Sequence, residues 1–193
     1  MARHAWVAAA RIADLGTRAL AQARRRLGRL DRRRYSRFRS AKRRREFLAG
    51  RCLLQRMGKG LPFDSSPEGG VEMSGRFGAS LSHARGWIAC VVVSSGRPGI
   101  DIEPMIERDF DKLGEWAFGS GGTREQFYER WTRYEARIKA FGDGAARRSH
   151  AERTWFLGGR VALSVCVPAS SRCFFSQRSR SDRPSATARA APW

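Results

Sequence analysis

Asp101 and Glu103 stand two apart in Gly99-Ile100-Asp101-Ile102-Glu103. Glu135 and Lys139 stand four apart in the run from Trp131 to Ala140. The first segment is apolar and β-branched and predicts a strand. Residues two apart on a strand share a face, so both carboxylates emerge together while Ile100 and Ile102 turn into a core. The second segment has a helical period, which puts Glu135 and Lys139 on one face, acid before base, with Trp131 one turn earlier. Three carboxylates with no Cys or His beside them suit a hard cation rather than zinc. Mg²⁺ is the natural candidate. It keeps several waters and is usually shared with substrate phosphates, so the residues predict phosphoryl-type transfer on a phosphate-bearing ligand. Each piece also has a plainer account. Asp-x-Glu can be an exposed strand face, and Glu135 with Lys139 can be a solvated helix pair worth roughly 0.2–0.5 kcal/mol.

Positioning these groups takes a strand at 99–103 and a helix over Arg124 to Phe141. Periodicity further predicts a short strand at Ala5 to Val7, a helix over Leu15 to Leu30 and a second helix from Lys42 to Met57 that ends at Gly58. Residues 58–78, rich in Gly, Pro and Ser, read as loop. Ala79 to Ser82 and Trp87 to Ser94 read as a hairpin through Ala84-Arg85-Gly86. Ser94 to Pro98 makes a turn into the Asp101 strand, and a last strand covers Arg160 to Val167. Residues 170–193, rich in Ser, Arg, Ala and Pro, lack periodicity and read as disordered.

Three separated blocks, Ser80-Leu81-Ser82-His83, Gly99 to Glu103, and Trp131 to Ala140 followed by Phe141-Gly142-Asp143-Gly144, resemble the 4′-phosphopantetheinyl transferases. The likeness is to the long, monomeric class that activates peptide, polyketide and fatty-acid synthases. A weaker block, Arg45 to Arg51 with Leu53, Leu54 and Arg56, looks like that family's phosphate-binding helix, and the likeness spans roughly residues 27–167.

The resemblance implies an α+β pseudo-dimer of two similar halves, each a small antiparallel sheet packed against a long helix, with the active site in the cleft between them. Residues 1–98 would form the coenzyme A phosphate side, 99–169 the metal and catalytic side, and 170–193 a tail. It further implies transfer of the 4′-phosphopantetheine arm of coenzyme A to a serine of an apo acyl or peptidyl carrier protein. Asp101, Glu103 and Glu135 would hold Mg²⁺, Glu135 and Lys139 would be catalytic, and Arg51, Ser82, His83 and Lys139 would contact coenzyme A. Trp131 is expected in the core. Two departures stand out: Tyr134 replaces a lysine of the helix motif, and Glu68-Gly69-Gly70-Val71-Glu72 replaces a Gly-Lys-Pro-like turn.

The chain of 193 residues carries a formal charge of +20. From Arg18 to Arg56 there are 16 Lys or Arg against Asp31 and Glu46, a surplus of 14. Such a stretch attracts polyanions: nucleic acid, an anionic membrane surface, a phosphorylated cofactor or an acidic protein. Coenzyme A and an acidic carrier protein account for its sign and place. Most of these cations are Arg, which GC-rich coding also produces. A basic nucleic-acid-binding protein is therefore one rival reading, although no zinc-finger or RNA-recognition signature is present. A family member that has lost catalysis and acts as a coenzyme A or carrier-binding module is another. The four cysteines, Cys52, Cys90, Cys166 and Cys173, form no Cys-x-x-Cys pair and predict reduced thiols in a cytoplasmic protein. No signal peptide or membrane segment is expected, because Arg11 and Asp14 interrupt the N-terminal apolar residues and the later run from Trp87 to Val93 is too short.

Overall fold

The computed structural model describes residues 3–58, 61–66 and 70–178. In chain order it contains β1 (Arg3–Arg11), a 3-10 turn (Ile12–Asp14), α1 (Thr17–Arg25), α2 (Arg29–Arg37) and α3 (Ala41–Met57). Then come β2 (Phe63–Ser65), β3 (Val71–Met73), β4 (Gly78–Ala84), β5 (Trp87–Val93), β6 (Gly99–Pro104), α4 (Phe110–Phe118) and α5 (Arg124–Phe141). β7 (His150–Leu157), β8 (Val161–Pro168) and β9 (Ser171–Arg178) complete it. The strands make a six-stranded sheet, β2-β3-β4-β5-β1-β9, and a three-stranded sheet, β6-β8-β7.

Alternation along β5 explains the layering. Ile88, Cys90 and Val92 face a cluster with Leu20, Leu48, Leu53 and Leu54 of α1 and α3. The intervening Ala89, Val91 and Val93 face Ile100, Ile102, Leu163 and Val165 of the second sheet. Period two thus buries both faces of β5, which reads as a continuous apolar run for that reason. The layers are helix, sheet, sheet, helix, with α5 lying across β6 and β8.

α5 follows its local signals. Thr123 caps it in a reciprocal capping box with Gln126, and Gly142 ends it at φ 91°, a left-handed value that favours glycine. Its buried stripe of Tyr128, Thr132, Ala136 and Ala140 faces the second sheet. The helix approaches so closely that a Cβ at Gly99 would run into the carbonyl of Ala136.

Several expectations are corrected. The single helix over 15–30 is two helices, α1 and α2, broken at Gly28, because Asp64 reaches in to accept the N–H groups of Leu30 and Asp31 (3.1 and 2.7 Å). The loop at 58–78 contains β2 and β3. The strand at Ala5–Val7 extends over 3–11, and α4 and β7 are additional. Disorder over 170–193 does not hold for 171–178: these residues form β9, which pairs parallel with β1 from Arg3↔Ser171 to Ala10↔Arg178. The first sheet is therefore not purely antiparallel. Cys173 and Phe175 pack at the edge of the inter-sheet cluster, which gives the strand its apolar reason to form. Residues 179–193 lie outside the described residues, as do Glu68 and Gly69 of the departing turn.

Candidate functional site

β6 sends Ile100 and Ile102 into the inter-sheet core, so its alternate residues Asp101 and Glu103 turn to the side covered by α5. Asp101 is only 4 % exposed. Its Oδ1 accepts a hydrogen bond from Lys139 Nζ at 2.6 Å and another from Ser82 Oγ at 2.8 Å. Lys139 Nζ also donates to Ser82 Oγ at 2.9 Å, which closes a triangle between β4, β6 and α5. The other oxygen, Oδ2, is buried and finds no hydrogen-bond partner among the described residues. A buried carboxylate with an unsatisfied oxygen is costly, by about 1–3 kcal/mol or more, so the geometry marks Oδ2 as a place for a donor or a cation.

Glu103, partly buried, has its carboxyl pushed up to about 7, first by desolvation and then by the charge of Asp101, with Glu135 adding to the rise. Lys139 and Arg85 oppose it. The three acids thus share one electrostatic neighbourhood. They do not form a finished cage: among the described residues no group of three or more His, Cys, Asp or Glu side chains is arranged to hold a metal ion. The position next to Asp101 Oδ1 is taken by the Lys139 ammonium. The donor chemistry, all carboxylate with one buried oxygen open, fits Mg²⁺; the present arrangement is that of a site whose positive charge comes from lysine.

Ser82 is buried and His83, next on β4, points outward. The His83 ring lies 3.6 Å from Glu46 of α3, too long for a hydrogen bond. Burial holds its pKa below the ordinary 6.5 against the pull of Glu46, with Arg43 and Lys139 lowering it further. Its charged form is thereby disfavoured.

Beside these groups a cavity of about 1010 Å³ opens, floored by apolar Phe47, Gly50, Leu81 and Ile88. Arg34, Arg43, Arg97, His83 and Lys139 line it, with Glu46 and Glu72 as its acids. Arg51 also reaches its wall, but differently from expectation. Its Nε and Nη2 clasp Asp31 at 2.6 and 2.7 Å, Nη2 reaches Ser65 Oγ at 2.8 Å, and the guanidinium stacks 4.4 Å from the Phe47 ring. Asp31 is fully buried, and a buried guanidinium needs such a partner. The sequence reading had no signal for Asp31 in this role, since it lies 20 residues away. Arg97 is a cavity cation the reading missed, hidden in what looked like a plain turn.

Trp131, expected in the core, is only partly buried and belongs to none of the hydrophobic clusters among the described residues; it stacks on Phe127 at 6.3 Å instead. Tyr134 is 39 % exposed, and its ring covers Gly144 so closely that a Cβ there would strike it. At the position of the missing lysine, an aromatic ring pins the glycine turn after α5. Cys52, Cys90, Cys166 and Cys173 form no disulfide among the described residues. No helix among the described residues is long and apolar enough to cross a membrane. No protein-family model matches the chain, and no curated protein matches it.

Proposed function

We propose that the chain is a magnesium-dependent transferase of the 4′-phosphopantetheinyl kind, moving the arm of coenzyme A onto a serine of an apo carrier protein. The observation that carries this reading is the Ser82–Asp101–Lys139 triangle, with Asp101 Oδ2 left open and Lys139 at the wall of a cation-lined cavity. When bound, Mg²⁺ would be held by Asp101, Glu103 and Glu135 and would neutralise charge on the pyrophosphate.

In this reading the cavity arginines and the His83 N–H take the phosphates of coenzyme A. Glu135 accepts the proton of the carrier serine, which must come within hydrogen-bond reach. The serine oxygen bonds to the phosphorus that bears pantetheine. The bond from that phosphorus to the bridging oxygen breaks, and 3′,5′-ADP leaves with the electron pair. Lys139 balances charge on the phosphate as it moves. The finer architecture belongs to the same proposal: α3 on the first sheet and α5 on the second would be counterparts, 1–98 and 99–169 two similar halves, and the cavity their cleft.

The test is incubation with coenzyme A, Mg²⁺ and several apo carrier proteins, read by intact mass. A gain of one phosphopantetheine arm that disappears with Asp101→Ala supports the reading; no gain on any carrier, or full transfer by that variant, rejects it. A second reading rests on the exposed arginines of α1 and α2, whose only acid, Asp31, is consumed by Arg51. Salt-sensitive binding of random DNA without carrier modification would favour a polyanion-binding protein instead.

A further inference from the structure

Lys139 belongs to two places at once. Its ammonium is held by Asp101 Oδ1 and Ser82 Oγ, yet its side chain is 29 % exposed and forms part of the cavity wall. A buried aspartate with one oxygen unpartnered needs a positive charge, and the lysine is the charge it has. A divalent ion arriving at Oδ2 would sit on the same carboxylate as an ammonium of like sign held at Oδ1, and the two would repel at close range. The lysine has a direction in which to yield: a four-carbon stem lets the head leave Asp101 while the backbone of α5 stays fixed, and the cavity is where it goes.

We infer that Lys139 is an exchangeable resident cation, so that a divalent metal at Asp101 releases its ammonium into the cavity, where it captures a phosphate-bearing ligand. This deepens the reading above and rests on it. Metal and anion then bind cooperatively: the metal frees the lysine for the anion, and the anion holds the lysine away from the metal. Such coupling is reciprocal, so each partner tightens the other by the same factor. Ser82 is the pivot, because its hydroxyl touches both the lysine and the aspartate.

Two measurements on the full chain test this. The first is Mn²⁺ binding followed by the spectrum of the free ion, with and without inorganic pyrophosphate, for wild type, Lys139→Met and Asp101→Asn. Removing the resident cation is expected to tighten binding of Mn²⁺ alone by about tenfold or more. The tightening by pyrophosphate is expected to be larger in wild type than in Lys139→Met. Because pyrophosphate complexes Mn²⁺ equally in both samples, the difference between the proteins is the readout. Equal Mn²⁺ affinities for wild type and Lys139→Met, with binding lost in Asp101→Asn, overturn the exchange and leave the metal reading standing. No Mn²⁺ binding by any of the three proteins overturns both.

The second uses wild type alone and so survives an unstable variant. The chain has four lysines, Lys42, Lys59, Lys112 and Lys139. Amine labelling read by peptide mass is expected to be slow at Lys139 relative to the exposed Lys112. Mg²⁺ should accelerate Lys139 several-fold without changing Lys112, and added pyrophosphate should slow it again. A Lys139 rate indifferent to Mg²⁺ overturns the inference.

Discussion

Asp101 and Lys139, 38 residues apart in sequence, meet at 2.6 Å where β6 passes beneath α5. The pair is asymmetric: the aspartate is sealed in, whereas the lysine can reach solvent. Asp101→Ala should therefore cost little stability, about 1 kcal/mol, because the stranded ammonium can hydrate. The phosphopantetheine transfer proposed above should fall at least about a hundredfold in the same variant. Parallel urea melts and transfer assays separate the two effects.

The clasp of Arg51 by Asp31 is sealed on both sides, so the converse holds there. Asp31→Ala leaves a buried guanidinium uncompensated and should destabilise the fold by about 3–5 kcal/mol. Chemical denaturation of the variant checks this. A loss below about 1 kcal/mol would mean that water reaches Arg51.

Gly99 is expected to tolerate no side chain. Gly99→Ala drives a methyl into the Ala136 carbonyl, so α5 must lift from β6. The cost should be about 1–3 kcal/mol, with Lys139 drawn away from Asp101. A thermal melt and the labelling rate of Lys139 report the two consequences together.

Glu103 gives stability a pH dependence of known sign. Its carboxyl ionises at 4.5 in the ordinary state and at about 7 in the fold, so between these values the folded chain holds the extra proton. Stability is present below 4.5, falls as pH rises to 7, and stays at the lower level above. Allowing for partial exposure, the loss is roughly 1–2 kcal/mol. Glu103→Gln should melt higher than wild type at pH 8 and level with it at pH 4.5. An unchanged gap between the two across that range would show that Glu103 is not the group responsible.

What was legible in the sequence was whatever local pattern decides. The glycine turn after α5, the alternation of β6 and the turn at Arg85-Gly86 all sit within a few residues of the elements they define. What escaped was decided at a distance. α2 begins where it does because Asp64 reaches it from 33 residues away. β1 is rich in alanine, a poor strand former, yet it extends because neighbours pair on both its edges. The site divides the same way. Asp101 and Lys139 could be named from spacing, and Ser82 from the family resemblance, and the three do come together. That the lysine would sit on the aspartate, and that Arg51 would turn inward to Asp31, depends on side-chain reach that spacing does not encode.

The parallel pairing of β1 with β9 has a consequence for how the chain is made. β1 leaves the ribosome well before β9 and must wait for it before its outer rank of amide and carbonyl groups is covered. Until then the nascent protein carries an open β ledge, a surface on which chaperones or sister chains can settle. Ending synthesis after Pro168 would make that wait permanent, and the shortened product is expected in the pellet rather than the supernatant.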